Sequence, residues 1–594
     1  MVSPAPAPFR RATGLDRAVA LHRAGRLDDA LAVYEFILAG DPNNADALNL
    51  SGLVYLTKGD GAAAVERITQ AIKLEPASPL FRLNLGSALL QSGQHERAVG
   101  AFERALKLKP DLAEAWAGLG MARAARGEER KAAHALRRAV AFNPQMPDAL
   151  NNLALVLGCL GDYDEARRAV DQAIACRPNY AVAHNTAGVL AREDGDATAS
   201  LAHLQKAVAL APGYFEAQSN LGISLTDLRR YDEAVAAFDA ALALRTDHAE
   251  TWRAAAKPLA ALGDMTKARA ACDRALSLAP GERRIIWERA LIDLAAGDFA
   301  AGWDGYRTRS TVDRRRYRMP QSKLDGDLHG QLIMLDGEQG LGEELFFLRF
   351  AAPLRDRGAR IIACVDERLV DMVSRIPFID EACARSAARP AAKIVVLRFP
   401  LGDLPWLSGA DVFAPAPIAA REELRDRIRA RLAAAGPAPY IGMTWRAGIA
   451  GRATLFKEAP VDLITKSIGD TPGTLIALQR NPFDSEIAEL SQRMGRPVLD
   501  LTDLNDDLEL MLALMHEIDA YVAVSNTNVH LAAAARAAGA RVKAHVLVPC
   551  PAEFRWLTTG ETSPWFPDFP VYREDPRLGW APVSENVKRA FSGI

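Results

Sequence analysis

The sequence predicts an α-helical solenoid followed by an α/β half made of two lobes. Two patterns carry that prediction. Up to Pro280, prolines and small residues recur with a step of 34 positions, and beyond Gly330 short apolar runs alternate with helical segments. A length of 594 residues leaves room for both halves, each with its own core.

The chain opens on residues 1–10, a flexible tail in which Pro4, Pro6 and Pro8 precede Arg10 and Arg11 without the apolar stretch of a signal peptide. Residues 11–306 form the solenoid. Pro42, Pro76, Pro110, Pro144, Pro178, Pro212 and Pro280 share one phase, with Thr246 in the single missing place. Gly52, Gly86, Gly120, Gly188 and Gly222 make a second column together with Ala154 and Ala256; Ala64, Ala98, Ala132, Ala166, Ala234 and Ala268 make a third. Small residues at fixed places in successive helices mark where those helices approach closely. Tyr34, Ile68, Phe102, Leu136, Val170, Leu204 and Phe238 follow four positions after the third column and would fill the space to the next helix.

A unit of this length with these small, large and proline positions resembles the tetratricopeptide repeat, in about eight copies. The resemblance implies helix pairs stacked into a right-handed superhelix whose groove takes a peptide. Asn84, Asn152 and Asn220 recur every 68 residues on the first-helix face that lines the groove in relatives. Their amides would hold an extended acceptor backbone through paired donor and acceptor bonds, or else satisfy local backbone groups. His184, His203 and His248 read as packing residues, and Gly297–Tyr306 as a modified capping repeat anchored by Trp303 and Tyr306. Residues 307–330 form a linker. Its Arg307, Arg309, Arg314, Arg315, Arg316 and Arg318 would attract phosphate or an acidic partner, or serve as a solvated connector.

The apolar runs Leu332–Leu335, Arg360–Val365, Lys393–Leu397, Tyr440–Trp445, Thr474–Gln479, Ala520–Val524 and Arg541–Val548 alternate with helical segments, which predicts parallel sheets covered by helices on both faces. Stretches rich in Pro, Ala and Gly at 410–419 and 433–439 divide this half into lobes 331–435 and 436–594.

Polar turns follow three of these strands. After the first, Glu338-Gln-Gly340-Leu-Gly342-Glu343-Glu344 is a tight loop running into a helix start; Gly340 and Gly342 remove side chains where a ligand or another backbone comes close. Glu338 or Glu343 would act as general base toward an acceptor hydroxyl, or else cap the helix or pair with an arginine. The second lobe opens with Gly442-Met-Thr444-Trp-Arg446-Ala-Gly448, followed by Arg452 and Lys457; cations at a strand's carboxyl end suit phosphate, with a salt bridge as the alternative. Gln479 would bond a nucleobase or ribose, or be structural. Ser525-Asn526-Thr527-Asn528-Val-His530 passes from strand to helix, gathering hydroxyls, amides and helix N–H groups that suit a leaving phosphate, with His530 donating to it. The alternative is helix capping by Ser525 or Thr527 over a packed His530. Glu553-Phe-Arg555-Trp556 and Ser563-Pro-Trp565-Phe-Pro567 read as an aromatic loop packing the cleft wall.

Composition narrows the function classes. With 72 basic and 74 acidic residues the chain lacks the positive field of a nucleic-acid binder, and no apolar run of about 18 residues spans a membrane. Six cysteines without a CxxC pair point to reduced thiols rather than a zinc or disulfide framework, and hence to a cytoplasmic protein. No DxD ends a strand, so no metal site is expected; Asp500, Asp503, Asp506 and Asp507 read as helix caps.

EQGLGE (338–343), GMTWRAG (442–448), SNTNVHLA (525–532), FRWL (554–557) and SPWFP (563–567), behind the repeats, resemble bacterial repeat-fused glycosyltransferases of the GT-B fold. The likeness is strongest to the flagellin glycosyltransferase type of this repeat-plus-GT-B plan; more distantly, the C-terminal half is similar to heptosyltransferase-like enzymes and the overall plan to O-linked N-acetylglucosamine transferase. The resemblance implies two Rossmann-like lobes and metal-independent transfer of a sugar to Ser or Thr of flagellin, which the repeats bind. The implied donor is a nucleotide-sugar such as CMP-pseudaminic acid or a related nonulosonic acid, with no further cofactor. A UDP-sugar-dependent enzyme of the O-GlcNAc type and an inactive repeat adaptor are the alternatives. Glu343-Glu344 stands where relatives often carry Gly-Asp, which leaves the choice of base open.

Overall fold

The computed structural model describes residues 9–310, 312, 317, 322–386, 396–409, 412–447 and 457–592. Most of the N-terminal tail, Arg314, Arg315, Arg316 and Arg318 of the linker, and Gly448 and Arg452 of the second lobe lie outside the described residues. The chain forms two compact units, one ending at Leu228 and the other starting at Arg229. The helices from Tyr231–Leu244 to Phe299–Tyr306 belong to the second unit together with the α/β part.

Helices run in pairs from Phe9–Arg23 with Leu27–Gly40 to Arg283–Ala295 with Phe299–Tyr306. The glycine column sets how closely the two helices of a pair approach. A Cβ on Gly86 would sit 2.6 Å from the Phe102 ring, and on Gly52, Gly120 and Gly188 it would meet Ile68, Leu136 and Leu204 at 2.5–2.6 Å. The large residue of each second helix therefore fills the notch left by the glycine of the first. The proline column marks the turns between pairs, where the carbonyl has a recurring partner six residues on. Arg82 donates to Pro76, Trp116 to Pro110, His184 to Pro178, Gln218 to Pro212 and Trp252 to Thr246, at 2.8–3.4 Å. His184 is thus a turn-holding residue, with His203 packed on its ring, and His248 caps its helix by accepting from the Thr251 amide.

Within each pair the connection passes through a left-handed residue. Gly25, Gly59, Gly93, Gly127, Gly161, Gly195, Gly263 and Gly297 hold φ between +69° and +88°. Arg229 occupies the same place in the series at φ +61°, a conformation that disfavours a side chain. Its guanidinium pairs with Glu574.

In the second unit, the helices from Tyr231–Leu244 to Phe299–Tyr306 are joined to the α/β part by specific contacts. Arg577 forks onto Asp232 with both bonds at 2.9 Å, the Thr558 amide donates to the Ala295 carbonyl at 3.2 Å, and Cys550 Sγ lies 3.4 Å from the Ala261 carbonyl. Trp303 and Tyr306 are packing anchors: Trp303 sits edge-on to Phe347, Phe350, Phe554 and Trp565. This last pair is part of the α/β core. Of the linker arginines, Arg307 stacks on Trp406 and Arg309 is 1% exposed, so neither is a solvated connector.

The α/β part holds two parallel sheets. The strands are β1 (Leu332–Asp336), β2 (Arg360–Val365), β3 (Glu381–Ala384), β4 (Val396–Pro400), β5 (Tyr440–Thr444), β6 (Arg446–Ala447), β7 (Lys457–Glu458), β8 (Thr474–Ala477), β9 (Val498–Asp500), β10 (Ala520–Val524), β11 (Lys543–Val548) and β12 (Val571–Arg573). The first sheet has the order β3-β2-β1-β4, the second β12-β11-β10-β5-β8-β9, and β6 pairs with β7 in a short antiparallel ribbon. All pairings within the two larger sheets are parallel. Along β10 the burial alternates between faces: Tyr521 and Ala523 join the large core shared with Ile333 and Leu335 of β1, while Ala520, Val522 and Val524 face the helices Val461–Ile468 and Ala581–Phe591. No helix among the described residues is long and apolar enough to cross a membrane.

Candidate active site

The carboxyl ends of β1 and β10 converge. After β1, Asp336 is held by a bidentate pair with Arg398 at 2.6 and 2.9 Å, and the chain turns through Gly337 to Gly340 into the helix Leu341–Leu348. The Gly337 amide donates to the Cys364 carbonyl at 2.7 Å, and a side chain at Gly337 would run into the Glu344 carboxylate. Gly342 faces the other lobe. A Cβ there would lie 2.8 Å from His530 Cδ2 and 3.5 Å from Thr527 Cα, so the absence of a side chain lets the helices Leu341–Leu348 and Thr527–Ala537 start against each other. Gly340 is open apart from Glu343.

The glutamates of this loop divide sharply. Glu338 accepts from the buried Arg309 guanidinium and from the Gly402 amide at 2.9 Å; burial outweighs these partners and holds its carboxyl above the usual range. Glu343 caps its own helix at the Gly340 amide, 3.2 Å, and lies 3.5 Å from Arg555. Glu344 is buried, takes the Asp366 amide at 2.9 Å and Arg385 at 2.7 Å, and is pushed up to about 7 by burial.

His530 sits at the centre of the junction, 5% exposed, edge-on to Phe346 and Phe566. Burial first, then the charges of Arg555 and Arg349, push its pKa well below the ordinary value, so the ring is neutral. Its Nδ1 is buried without a hydrogen-bond partner. Beside it Lys457 Nζ reaches Glu553 at 2.8 Å and donates to the Ser525 carbonyl at 3.2 Å, while Arg555 reaches the same Glu553 at 3.1 Å. Burial would raise the Glu553 carboxyl, but Lys457, Arg555 and Ser525 outweigh it and hold it at about 2. Two cations thus converge on one buried carboxylate next to a neutral imidazole. Glu553 and Arg555 were read from sequence only as part of an aromatic wall; opposite charges two residues apart inside an apolar stretch were the available signal.

The other predicted donor-site residues form a polar scaffold behind this group. Asn526, rather than Ser525 or Thr527, caps the helix by accepting from the Val529 amide at 3.0 Å, and its amide donates to the Tyr521 hydroxyl, also at 3.0 Å. Tyr521 donates to Thr444 Oγ1 at 2.8 Å, and Thr444 donates to the Leu478 carbonyl at 3.1 Å. Asn528 donates to Asn505 at 3.2 Å. Gln479 accepts from the amides of Trp445 and Arg446 and donates to the Arg446 carbonyl. The Arg446 side chain pairs with Glu486 and stacks on Phe483, 4.2 Å from the ring centre. Thr527 opens the helix half-buried at the Gly342 junction. Among the described residues no three His, Cys, Asp or Glu side chains come together as a metal-ligand group.

In the first unit, the predicted asparagines pair along the row of first helices. Asn84 donates to Asn49 and Asn220 to Asn185, both at 2.9 Å, and Asn185 in turn donates to the Tyr214 hydroxyl at 3.5 Å. Each pair bridges neighbouring repeats through side chains, not through local backbone. Asn152 lies half-buried beside Asn151, whose Oδ1 is buried without a partner.

Residues 15–79, 52–113, 83–147 and 219–283 match a tetratricopeptide repeat family model, and 147–180 match a second. Within these residues the helix pairs are tetratricopeptide repeats. The chain is 26% identical over 330 residues to Protein FlbA of Caulobacter vibrioides, across 51% of this chain and 54% of that protein. The chain therefore spans about half the length of the curated relative it matches. Among solved structures, the Cut9–Hcn1 hetero-tetramer of APC/C is similar at a TM-score of 0.41 and 21% identity, covering 48% of this chain and 56% of that one. PilF of Pseudomonas aeruginosa is similar at 0.32 and 20%, covering 35% and 95%. MamA is similar at 0.25 and 27%, covering 27% and 94%.

Proposed function

We propose that this protein is a GT-B glycosyltransferase that modifies another protein. In this reading the tetratricopeptide repeats hold the acceptor polypeptide, and the α/β half moves a sugar from a nucleotide donor to a Ser or Thr hydroxyl. The observation that carries the reading is the junction at Gly342 and His530, where the loops after β1 and β10 meet beside Lys457 and Arg555. Parallel sheets take ligands at the carboxyl ends of their strands, and departure of a phosphate needs cations and helix amides at that place. Lys457 and Arg555 would turn from Glu553 to the leaving phosphate, the start of the helix Thr527–Ala537 would face it, and neutral His530 would share a proton with it or with the acceptor. Glu343 is the better base than Glu338, because Glu338 is committed to the buried Arg309 while Glu343 is held by its own helix start, the Gln339 amide and a longer contact to Arg555. The asparagine pairs retain amide capacity for an extended backbone.

For substrate we infer a nonulosonic acid such as pseudaminic acid, carried by CMP, and flagellin as acceptor. Incubating the full chain with flagellin and CMP-pseudaminic acid is expected to raise the flagellin mass by whole sugar residues, and the His530→Ala and Lys457→Ala variants are expected to leave it unchanged. A parallel incubation with UDP-N-acetylglucosamine tests the UDP-dependent alternative. No mass gain with either donor overturns the enzymatic reading. The adaptor reading is favoured by one observation, that Arg446, Glu338, Gln479 and Asn526 are all engaged by protein groups; flagellin retained without mass gain would support it.

A further inference from the structure

Below the glycine loop, β2 and β3 pair so that Cys364 stands directly opposite Cys383. Both side chains lie on the same face of the first sheet, with Met334 and Ile362, and their sulfurs are 2.6 Å apart as free thiols. Neighbouring strands run about 4.7–4.9 Å apart, inside the roughly 4.4–6.8 Å between Cα atoms that a disulfide spans. β3 is an edge strand and Cys383 is only half-buried, so a small reagent reaches it from the sheet edge. The other four cysteines have no such partner. Cys159 is exposed, Cys272 is buried, Cys176 contacts the Pro144 carbonyl and Cys550 the Ala261 carbonyl.

The two strands also carry the loop of the candidate active site. The Cys364 carbonyl accepts from the Gly337 amide, and two residues past Cys383, Arg385 donates to the Gln339 carbonyl at 3.2 Å and pairs with Glu344. The arrangement ties the state of the sulfurs to the support of the loop.

We propose that Cys364 and Cys383 are an oxidation site, a dithiol that a low-molecular-weight disulfide converts to an intrachain disulfide under the Gly337–Gly342 loop. The Cys383 thiolate, the more accessible of the two, attacks one sulfur of the reagent and expels a thiolate, leaving a mixed disulfide on Cys383. Cys364 then loses its proton and attacks Cys383 Sγ, expelling the second reagent thiol. Two protein thiols are oxidised and one reagent disulfide is reduced to two thiols. Burial raises the Cys364 thiol and disfavours its thiolate, which leaves the first attack to Cys383; the second step rests on the closeness of the two sulfurs. The closed bond fixes edge strand β3 to β2 and with it the Arg385 contacts to Gln339 and Glu344.

The test uses the full chain treated with oxidised glutathione, alkylated, digested with trypsin without reduction and analysed by mass spectrometry. Peptides 361–368 and 376–385 are expected as one cross-linked species lacking two hydrogens, and both Cys364→Ser and Cys383→Ser are expected to abolish it. Exposed Cys159 reports that the reagent acted. Separate alkylated or glutathionylated peptides for Cys364 and Cys383, alongside glutathionylated Cys159, would overturn the proposal. Hydrogen exchange at the Gly337 amide is expected to slow several-fold on oxidation; a cross-linked protein with unchanged exchange there would refute the coupling to the loop.

Discussion

Replacing Arg309 by Met tests how the glycine loop is supported. Arg309 is 1% exposed, and its guanidinium holds Asp403, 0% exposed, through one nitrogen at 2.5 Å and Glu338 through the others. Removing the arginine of a buried ion cluster takes away the main compensation of its carboxylates, a loss of up to about 3–5 kcal/mol. Against the roughly 5–15 kcal/mol that separates a folded domain from its unfolded state, this is a large fraction of the total. Urea unfolding followed by tryptophan fluorescence reads it, because Trp303 and Trp565 lie in the same core. The pH dependence sharpens the test. Glu338 already titrates above the ordinary glutamate range because burial outweighs its partners, and loss of Arg309 moves it further up. A raised folded-state pKa means that the folded chain binds a proton that the unfolded chain has released, so R309M regains stability as pH falls from about 7 toward 5 and loses it as pH rises. Adding Glu338→Gln should recover part of the loss at neutral pH. A midpoint for R309M equal to that of the wild type, or a deficit that grows on acidification, would refute the buried-pillar reasoning.

Two further perturbations address the repeats and the cation pair. Gly86→Ala places a methyl group against Phe102 and is expected to destabilise by about 1–3 kcal/mol, whereas Gly100→Ala, with nothing within 4 Å, is expected to be neutral or stabilising by up to about 1 kcal/mol; thermal unfolding of the two variants, with equal midpoints, would count against the notch packing. Glu553→Gln removes a carboxylate held at about 2, whose contribution is present above the unfolded value and lost as pH falls through the folded one. The stability difference between wild type and E553Q should therefore shrink between about pH 4 and pH 2, and a constant difference in acid titrations followed by circular dichroism would contradict the assignment.

The repeats were legible because each of their determinants is local. A glycine, the large residue that fills its notch and the turn proline lie within one unit, and repetition makes each visible. The sheets were legible as apolar runs, but β3, β9 and β12 were not, since edge strands of three or four residues carry too little pattern. The site was legible as a set of loops and not as a set of pairs. Arg309 with Glu338, Arg446 with Glu486 and Lys457 with Glu553 join segments that only the tertiary fold brings together, and nothing local distinguishes a charge that meets a ligand from one that meets another side chain. The unit boundary did leave a trace. Arg229 breaks a column of turn glycines, and a substitution against backbone preference signals that the side chain is needed.

That arginine also sets how the molecule can be altered by whole units. Deleting or duplicating a 34-residue module upstream of Leu228 would change the length of the array while leaving Arg229 with Glu574 and Asp232 with Arg577 in register. The same edit between Tyr231 and Tyr306 would displace Asp232, Ala261 or Ala295 from their partners at Arg577, Cys550 and Thr558. Whole-module edits upstream of Leu228 thus leave these contacts untouched, whereas the five helices from Tyr231 to Tyr306 are tied residue by residue to the α/β part.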